Sequence, residues 1–169
     1  RAQKRLDEAA LAKDMDHQER SDVAHKVAIA ALKFADLQNN RVADYVFDID
    51  RMTSFEGKTG PYLLYQAVRI QSLLRKAGQS EQYMNAPYTI QKEDRELSIL
   101  LTTFSDSFEG ALRGQSPHIL CEYAYKLAQE FSSFYGNCHI LSEKDEALRF
   151  SRLRLCQQTH IQLVKILNL

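Results

Sequence analysis

Residues 60–78 read GPYLLYQAVRIQSLLRKAG, and they predict the central helix of an α-helical protein. Pro61 suits the first turn of a helix, where its missing N–H had no partner in any case. Gly78 suits the position just after the last turn. The apolar residues between them recur at spacings of three and four, which indicates one buried face. They are Leu63, Leu64, Ala67, Ile70, Leu73 and Leu74. We predict a helix from Pro61 to about Lys76.

Similar patterns extend the helical prediction over most of the chain, because only three prolines and six glycines interrupt 169 residues. Further helices are predicted over residues 1–15, 93–104 and 105–112. Three more are predicted from their start signals: one after the caps Ser21 and Asp22, one after Ser116 and Pro117, and one from Ser142, where Asp145 completes a weak capping box. YVFDID (45–50) predicts a short extended segment or turn, and 78–91 an exposed loop. The fold class is predicted to be all-α, a helical bundle.

Charge is balanced overall but unevenly distributed. The 22 basic and 22 acidic residues cancel, so composition alone does not indicate a nucleic-acid-binding protein. Segment 51–76, however, has five basic residues and one acid, and segment 147–169 has four basic residues and no acid, so each carries +4. These two elements can form one basic face. No run of 18 apolar residues occurs, so we predict no membrane span.

Histidine and cysteine occur in three close pairs that invite a metal-site interpretation. They are His118 with Cys121, Cys138 with His139, and Cys156 with His160. A structural zinc site needs four ligands, usually held two by two in tight turns, and these pairs fall on a helix start, a loop and a helix middle. We therefore predict no metal site. Three cysteines without a CxxC spacing indicate free thiols in a reducing compartment. Common catalytic and phosphate-binding motifs are absent, so we predict no catalytic residue.

Aromatic and basic residues share one strip of the helix that starts at Pro61. Tyr62, Tyr65 and Arg69 lie at positions i, i+3 and i+7. One interpretation makes the tyrosines boundary residues with satisfied hydroxyls. The other makes them a stacking platform for unpaired bases, flanked by a positive charge. Arg149 and Arg152, at i and i+3, provide a second basic helix face, but periodicity alone leaves both interpretations open.

Several ordered motifs resemble a known family. ALKFADLQNNRVADYVFDIDRMTSFEGKTGPYLLYQAVRIQSLLRKA (31–77) resembles the end of the catalytic domain of arginyl-tRNA synthetases and the helix after it. It contains DYVFD at 44–48, SFEG at 54–57 and TGPYL at 59–63. EALRFSRLRL (146–155) resembles the motif that names the DALR anticodon-binding domain, with Glu146 in place of Asp. YKLAQEFSSFYGNC (125–138) resembles the helix before that motif.

The resemblance implies a domain organisation and an activity. Residues 1–59 would be the end of the catalytic domain with a junction loop, and residues 60–169 the DALR-type helical domain. The whole enzyme would use ATP with Mg²⁺ to ligate arginine to tRNA(Arg). The HIGH-type and KMSK-type motifs do not occur in this chain. We therefore expect it to be an inactive fragment without a cofactor of its own, from a cytoplasmic, monomeric enzyme that contacts no membrane.

The resemblance also implies site residues. Tyr62 and Tyr65 match family aromatic residues near the anticodon loop, and Phe134 and Tyr135 are added to that cluster. Arg69, Arg149 and Arg152 would be phosphate contacts or structural partners. Gly57 and Gly60 would form the hinge between the two domains. The alternative, from another class of function, is a helical protein-interaction module that does not bind RNA.

Overall fold

The computed structural model describes residues 1–8, 15–78 and 83–169, and all regular structure in these ranges is helical. The α-helices are α1 (Ala2–Glu8), α2 (His17–Leu37), α3 (Ile49–Met52), α4 (Gly60–Ala77), α5 (Arg95–Thr102), α6 (Phe104–Gly114), α7 (His118–Asn137) and α8 (Glu146–Leu167). Short 3₁₀ turns span Lys92–Asp94 and Ile140–Ser142. The predicted all-α class is confirmed. No described helix is long and apolar enough to cross a membrane.

Helix α4 forms nearly as its sequence predicts. The Thr59 hydroxyl accepts a hydrogen bond from the Tyr62 backbone N–H at 3.2 Å, which caps the first turn, and Gly78 follows the last turn at φ 62°. The observed bounds extend the predicted helix by one residue at each end. Four of the six predicted core residues, Leu63, Ala67, Ile70 and Leu73, are buried. Leu64 and Leu74 are only partly buried, at the edges of that face.

Two predicted helix starts are wrong, and capping explains both. Helix α2 begins before the predicted caps because Asp16 and Glu19 form a capping box, in which the Asp16 carboxylate accepts from the Glu19 N–H at 2.9 Å. Helix α8 begins after Ser142 because Asp145 is itself the cap, accepting from the Leu148 N–H at 3.1 Å. Residues 9–14 of the first predicted helix and 79–82 of the predicted loop lie outside the described residues.

Two hydrophobic clusters hold the helices together. The larger cluster joins α4, α5, α7, α8 and Phe34 of α2 around Leu127 and Phe131, which are both fully buried. The smaller cluster joins α1 and α2 through Leu6 and Val27, and Leu64 of α4 packs against it. Helices α2 and α4 therefore contribute to both clusters and connect α1 to the bundle.

The start of α4 lies directly against α2. A Cβ atom built on Gly60 would lie 2.1 Å from the carbonyl oxygen of Ala30 and 2.6 Å from its carbon. Only glycine permits this approach. Gly57, by contrast, has φ +79° and open space around it. Both were predicted as hinge residues, and this remains a prediction, but the packing of Gly60 opposes motion at that position.

Candidate nucleic-acid interface

Aromatic and cationic side chains from α4 and α7 meet in a seam, which we define as Tyr62 and Arg69 of α4 with Tyr125 and Tyr135 of α7. The Tyr62 and Tyr125 rings pack edge to face, with centroids 5.9 Å apart and planes at 64°. The guanidinium carbon of Arg69 lies 4.4 Å from the centroid of the Tyr135 ring. Because both contacts advance in the same chain direction, α4 and α7 run parallel here. Lys58, paired with Glu122, lies at the beginning of the seam.

The two tyrosines of α4 have different surroundings. Tyr62 is partly buried, and burial raises the pKa of its hydroxyl, while Gln66 and Arg69 act in the opposite direction. Tyr65, less than one turn further on, is 40% exposed. Tyr62 thus fits the boundary interpretation, whereas Tyr65 presents its ring to solvent. The shared strip predicted from their spacing therefore contains one packing residue and one accessible ring.

A cavity of about 510 Å³ lies at the end of the seam. Its lining includes Arg69 and Tyr135 from the seam, Leu73 of α4, and Gly136, His139 and Ser142 from the end of α7 and the turn after it. Two predicted site residues thus meet at one concavity. His139 and Ser142 were not predicted there, because residue spacing carries no information about the path of the chain after α7.

A neighbouring cavity of about 540 Å³ contains the predicted residue Arg149. Lys76 and Phe150 also line it, and Leu141 lines both cavities. The basic segments 51–76 and 147–169 are therefore brought together here, through Lys76 and Arg149. Arg149 already has partners, since it donates to the Glu143 carbonyl oxygen at 3.2 Å and lies 3.8 Å from a Glu146 carboxylate oxygen.

Two other predicted contacts point into the protein. The Arg152 side chain is 8% exposed, and it donates to Asp94 and to Glu143, both at 3.0 Å. This geometry corresponds to the structural-partner role, one of the two roles that the resemblance implied. Phe134 is 2% exposed and packs in the core beside Phe131, so its ring is not accessible to a base.

Helix α8 also organises the segment before α5, a feature that sequence reasoning missed. The Ser151 hydroxyl accepts from the Thr89 N–H at 2.8 Å and donates to the Thr89 carbonyl oxygen at 3.1 Å. The guanidinium carbon of Arg154 lies 4.1 Å from the centroid of the Tyr88 ring. The close run of arginines in RFSRLR (149–154) was the available signal, but the partners of Ser151 and Arg154 lie more than 60 residues away along the chain.

The three cysteines are buried free thiols. Burial raises the pKa of Cys121 to about 11, and it also raises the pKa values of Cys138 and Cys156. Cys121 lies at the start of α7, Cys138 directly after its end, and Cys156 within α8. Among the described residues, no group of three or more histidine, cysteine, aspartate or glutamate side chains could hold a metal ion.

These thiols should resist alkylation in the folded protein. Iodoacetamide reacts with thiolates, and at pH 8 the raised pKa values keep Cys121, Cys138 and Cys156 protonated as well as shielded. We expect mass spectrometry to detect alkylation at least tenfold slower in native protein than in urea-unfolded protein. Equal rates in the two conditions would contradict the burial of these side chains.

The fold is a helical bundle packed on a preceding helical segment, with an aromatic and cationic seam between α4 and α7. The chain belongs to the DALR anticodon binding domain family, whose model matches residues 63–169. The model of the catalytic domain of class I tRNA synthetases (R) matches residues 1–49. Residues 50–62 lie between the matched ranges, and the predicted division after residue 59 remains a prediction.

Similar proteins agree with the resemblance described above. The arginine–tRNA ligase of Maricaulis maris (strain MCS10) is 47% identical over 169 residues, which are 100% of this chain and 29% of that protein. The ligase of Hyphomonas neptunium is 49% identical over 162 residues, which are 96% of this chain and 28% of that protein. The chain thus spans less than a third of these curated relatives.

Solved structures support the same assignment. The chain resembles a Thermus thermophilus arginyl-tRNA synthetase with a TM-score of 0.85 and 28% identity, over 99% of this chain and 30% of that one. It resembles the arginyl-tRNA synthetase of Plasmodium falciparum with a TM-score of 0.80 and 27% identity, over 99% of this chain and 31% of that one. The resemblance to arginyl-tRNA synthetases is therefore confirmed.

Proposed function

We propose that this chain recognises the anticodon loop of tRNA(Arg) as part of an arginine–tRNA ligase. The match of residues 63–169 to the anticodon-binding family supports the recognition role, and the match of residues 1–49 to a catalytic-domain model supports the ligase role. Arginine and ATP with Mg²⁺ would bind outside these 169 residues, which hold no nucleotide-binding motif of the family. A cytoplasmic location and a monomeric state belong to the same proposal.

The contact between Arg69 and Tyr135 beside a cavity is the observation that carries the proposed site. Arginine planes and aromatic rings both stack on unpaired bases, and a guanidinium ordered by a ring loses less freedom when it binds. Tyr65 adds an exposed ring on α4, and Arg149 adds a positive charge in the adjacent cavity. The charges would position the phosphates, stacking would add affinity, and contacts to the base edges would supply specificity.

Phe134 and Arg152 are not proposed as direct contacts, because both side chains are buried. The proposed RNA-binding residues are Tyr62, Tyr65, Arg69, Tyr135 and Arg149. Tyr62 contributes mainly by packing against Tyr125, which keeps α4 and α7 in register. The accessible stacking surface is accordingly assigned to Tyr65 and to the Arg69–Tyr135 pair.

A titration tests this function. The full-length protein that contains this chain should bind tRNA(Arg) more tightly than a transcript with a substituted anticodon, and the affinity should fall as salt rises because phosphate contacts release counterions. Equal binding of the two transcripts would contradict base recognition. Binding of a protein partner without any affinity for tRNA would instead support the protein-interaction alternative.

Tyr65→Ala should weaken tRNA(Arg) binding by about 1–3 kcal/mol, the range measured for loss of one base–aromatic stack. Tyr65→Phe should bind normally, because stacking requires the ring and not the hydroxyl. Tyr45→Ala is the matched control, since Tyr45 is similarly exposed, at 41%, but lies in the segment between α2 and α3. Unchanged binding by Tyr65→Ala would mean that Tyr65 is a boundary residue and does not stack on a base.

A further inference from the structure

We propose that an apolar groove between α2 and the helical bundle holds a segment of the same protein from outside these 169 residues, and that this segment carries acidic side chains beside its apolar ones. We call this space the α2 groove. It is a cavity of about 400 Å³ whose walls come from α2, the start of α4, the start of α7 and the end of α8. Occupation of this groove is a property separate from the proposed recognition of tRNA.

The floor of the α2 groove is apolar and fixed. Phe34 of α2, Leu63 of α4 and Cys121 of α7 line it, and all three are buried members of the larger hydrophobic cluster. The close approach of Gly60 to the Ala30 carbonyl oxygen sets the spacing of α2 and α4 at the same place, since both residues also line the groove. The groove is therefore preformed, and the protein loses little conformational freedom when a segment binds there.

The α2 side of the groove carries positive charges that lack acidic partners. Lys26 and Lys33 lie seven residues apart on the exposed side of α2, and His25 beside them can also become positively charged. Of the described residues that line the groove, none is acidic. Neither lysine forms an ion pair within residues 1–8, 15–78 and 83–169. These charges favour an occupant with aspartate or glutamate side chains.

The rest of the lining indicates a permanent occupant. A site for a small molecule that exchanges freely usually has several polar groups that orient the ligand. The α2 groove instead presents apolar side chains such as Ile29 and Leu37, which are 44% and 37% exposed. Contiguous apolar surface on a folded protein generally marks an interaction site, and permanent contacts are more apolar than transient ones.

The position of the groove indicates where its occupant comes from. Helix α2 lies within the residues that match the catalytic-domain model, and α7 and α8 lie within those that match the anticodon-binding model. The chain covers 29% of the Maricaulis maris ligase, so most of the length of that relative lies outside the matched part. In a protein of comparable length, a segment of the same polypeptide is present at a high effective concentration and competes well against a separate molecule.

Carbodiimide cross-linking tests the occupant in the full-length protein that contains this chain. The reagent joins a lysine amine to a neighbouring carboxylate, and mass spectrometry identifies both peptides. Lys26 or Lys33 should be joined to an acidic residue outside the 169 residues. A mixture of unlabelled and isotope-labelled protein shows whether the link lies within one polypeptide. Lys126, which is exposed on α7 but does not line the groove, is the matched control and should not be joined to that segment.

A variant tests the same contact without lysine chemistry. Ile29→Glu places a negative charge on the groove wall at an exposed position, where it can pair with Lys26 or Lys33 on the same helix, so α2 should still fold. In the full-length protein, proteinase K should then cleave the cross-linked segment at least about tenfold faster than in the wild type, because cleavage follows local opening. Ile99→Glu is the matched control, since Ile99 is 45% exposed but lies on α5 outside the lining, and it should leave the rate unchanged.

The outcomes separate the possible occupants. A link from Lys26 or Lys33 to an outside segment of the same polypeptide, together with faster cleavage in Ile29→Glu, supports the proposal. Links only between two copies would place a second copy in the groove and overturn it. The proposal is also overturned if neither lysine is joined to a residue outside the chain, or if Ile29→Glu is cleaved as slowly as the wild type. Neither measurement involves tRNA, so these results leave the proposed function unaffected.

Discussion

Gly60→Ala is expected to destabilise the fold by about 3 kcal/mol or more, at or above the upper end of the usual range for overpacked sites. The added Cβ would lie 2.1 Å from the Ala30 carbonyl oxygen and 2.6 Å from its carbon. Both are backbone atoms of α2, so the clash cannot be relieved by a change of rotamer. The better helix propensity of alanine, worth about 1 kcal/mol, does not offset it.

Urea unfolding followed by circular dichroism measures this effect. Gly110→Ala is the matched control, because Gly110 is also helical and an added Cβ would meet only the Ile119 side chain, at an ordinary 4.0 Å. That variant should be as stable as the wild type or slightly more stable. A fully stable Gly60→Ala variant would mean that α2 and α4 approach less closely than described. It would then support the prediction that Gly60 is a hinge residue.

Asp94→Ala should cost about 3–5 kcal/mol, because removing one partner of a buried ion pair leaves the other charge only partly compensated. Asp94 is fully buried and accepts from Arg152 at 3.0 Å and from the Gln91 N–H at 2.8 Å. Within the described ranges, Arg152 would keep only Glu143 as an anionic partner. The loss should exceed that of any exposed ion pair in the chain.

A double variant measures the coupling between Asp94 and Arg152 separately from the contribution of each side chain. Replacing both residues, as Asp94→Leu with Arg152→Met, should lower the free energy of unfolding by less than the sum of the single changes, because neither charge is then left buried without the other. Glu96→Ala is the matched control, because it breaks the exposed pair with Arg95, which lies at 3.2 Å, and should cost less than about 1 kcal/mol. Equal losses for Asp94→Ala and Glu96→Ala would contradict a structural role for the buried pair.

The buried pair also affects the proposed site. Glu143 binds Arg152 through its carboxylate and Arg149 through its carbonyl oxygen, directly after the turn Ile140–Ser142, which lines the cavity beside Tyr135. Loosening Asp94 should therefore weaken tRNA binding as a consequence of lost structure.

Local signals in the sequence were sufficient for the helices and for part of the site. The period of apolar residues, with Pro61 at the start and Gly78 after the end, determined α4 to within one residue, because these signals act over three or four positions. The placement of Tyr62, Tyr65 and Arg69 on one strip follows from the same helical geometry. The motifs at 44–63 and 146–155 were enough to identify the family.

Local signals failed where two candidates looked alike. Ser142 and Asp145 could both cap α8, and Asp145 forms the cap because its carboxylate reaches the Leu148 N–H. Arg149 and Arg152 share a helix at i and i+3, yet only Arg149 remains partly accessible. Arg152 is turned toward Asp94, which lies 58 residues earlier in the chain. Residue spacing cannot show which of the two arginines is buried and which is accessible.

The sequence by itself therefore determined the helix class, the family and the strip of α4 that carries the tyrosines. Only the tertiary structure decided which of those side chains are accessible, why Gly60 must be glycine, and that Gly136 borders a cavity beside Arg69 and Tyr135. The physical reason is distance along the chain. Helix period and caps are short-range interactions, whereas burial, ion pairing and cavities arise where segments tens of residues apart pack together.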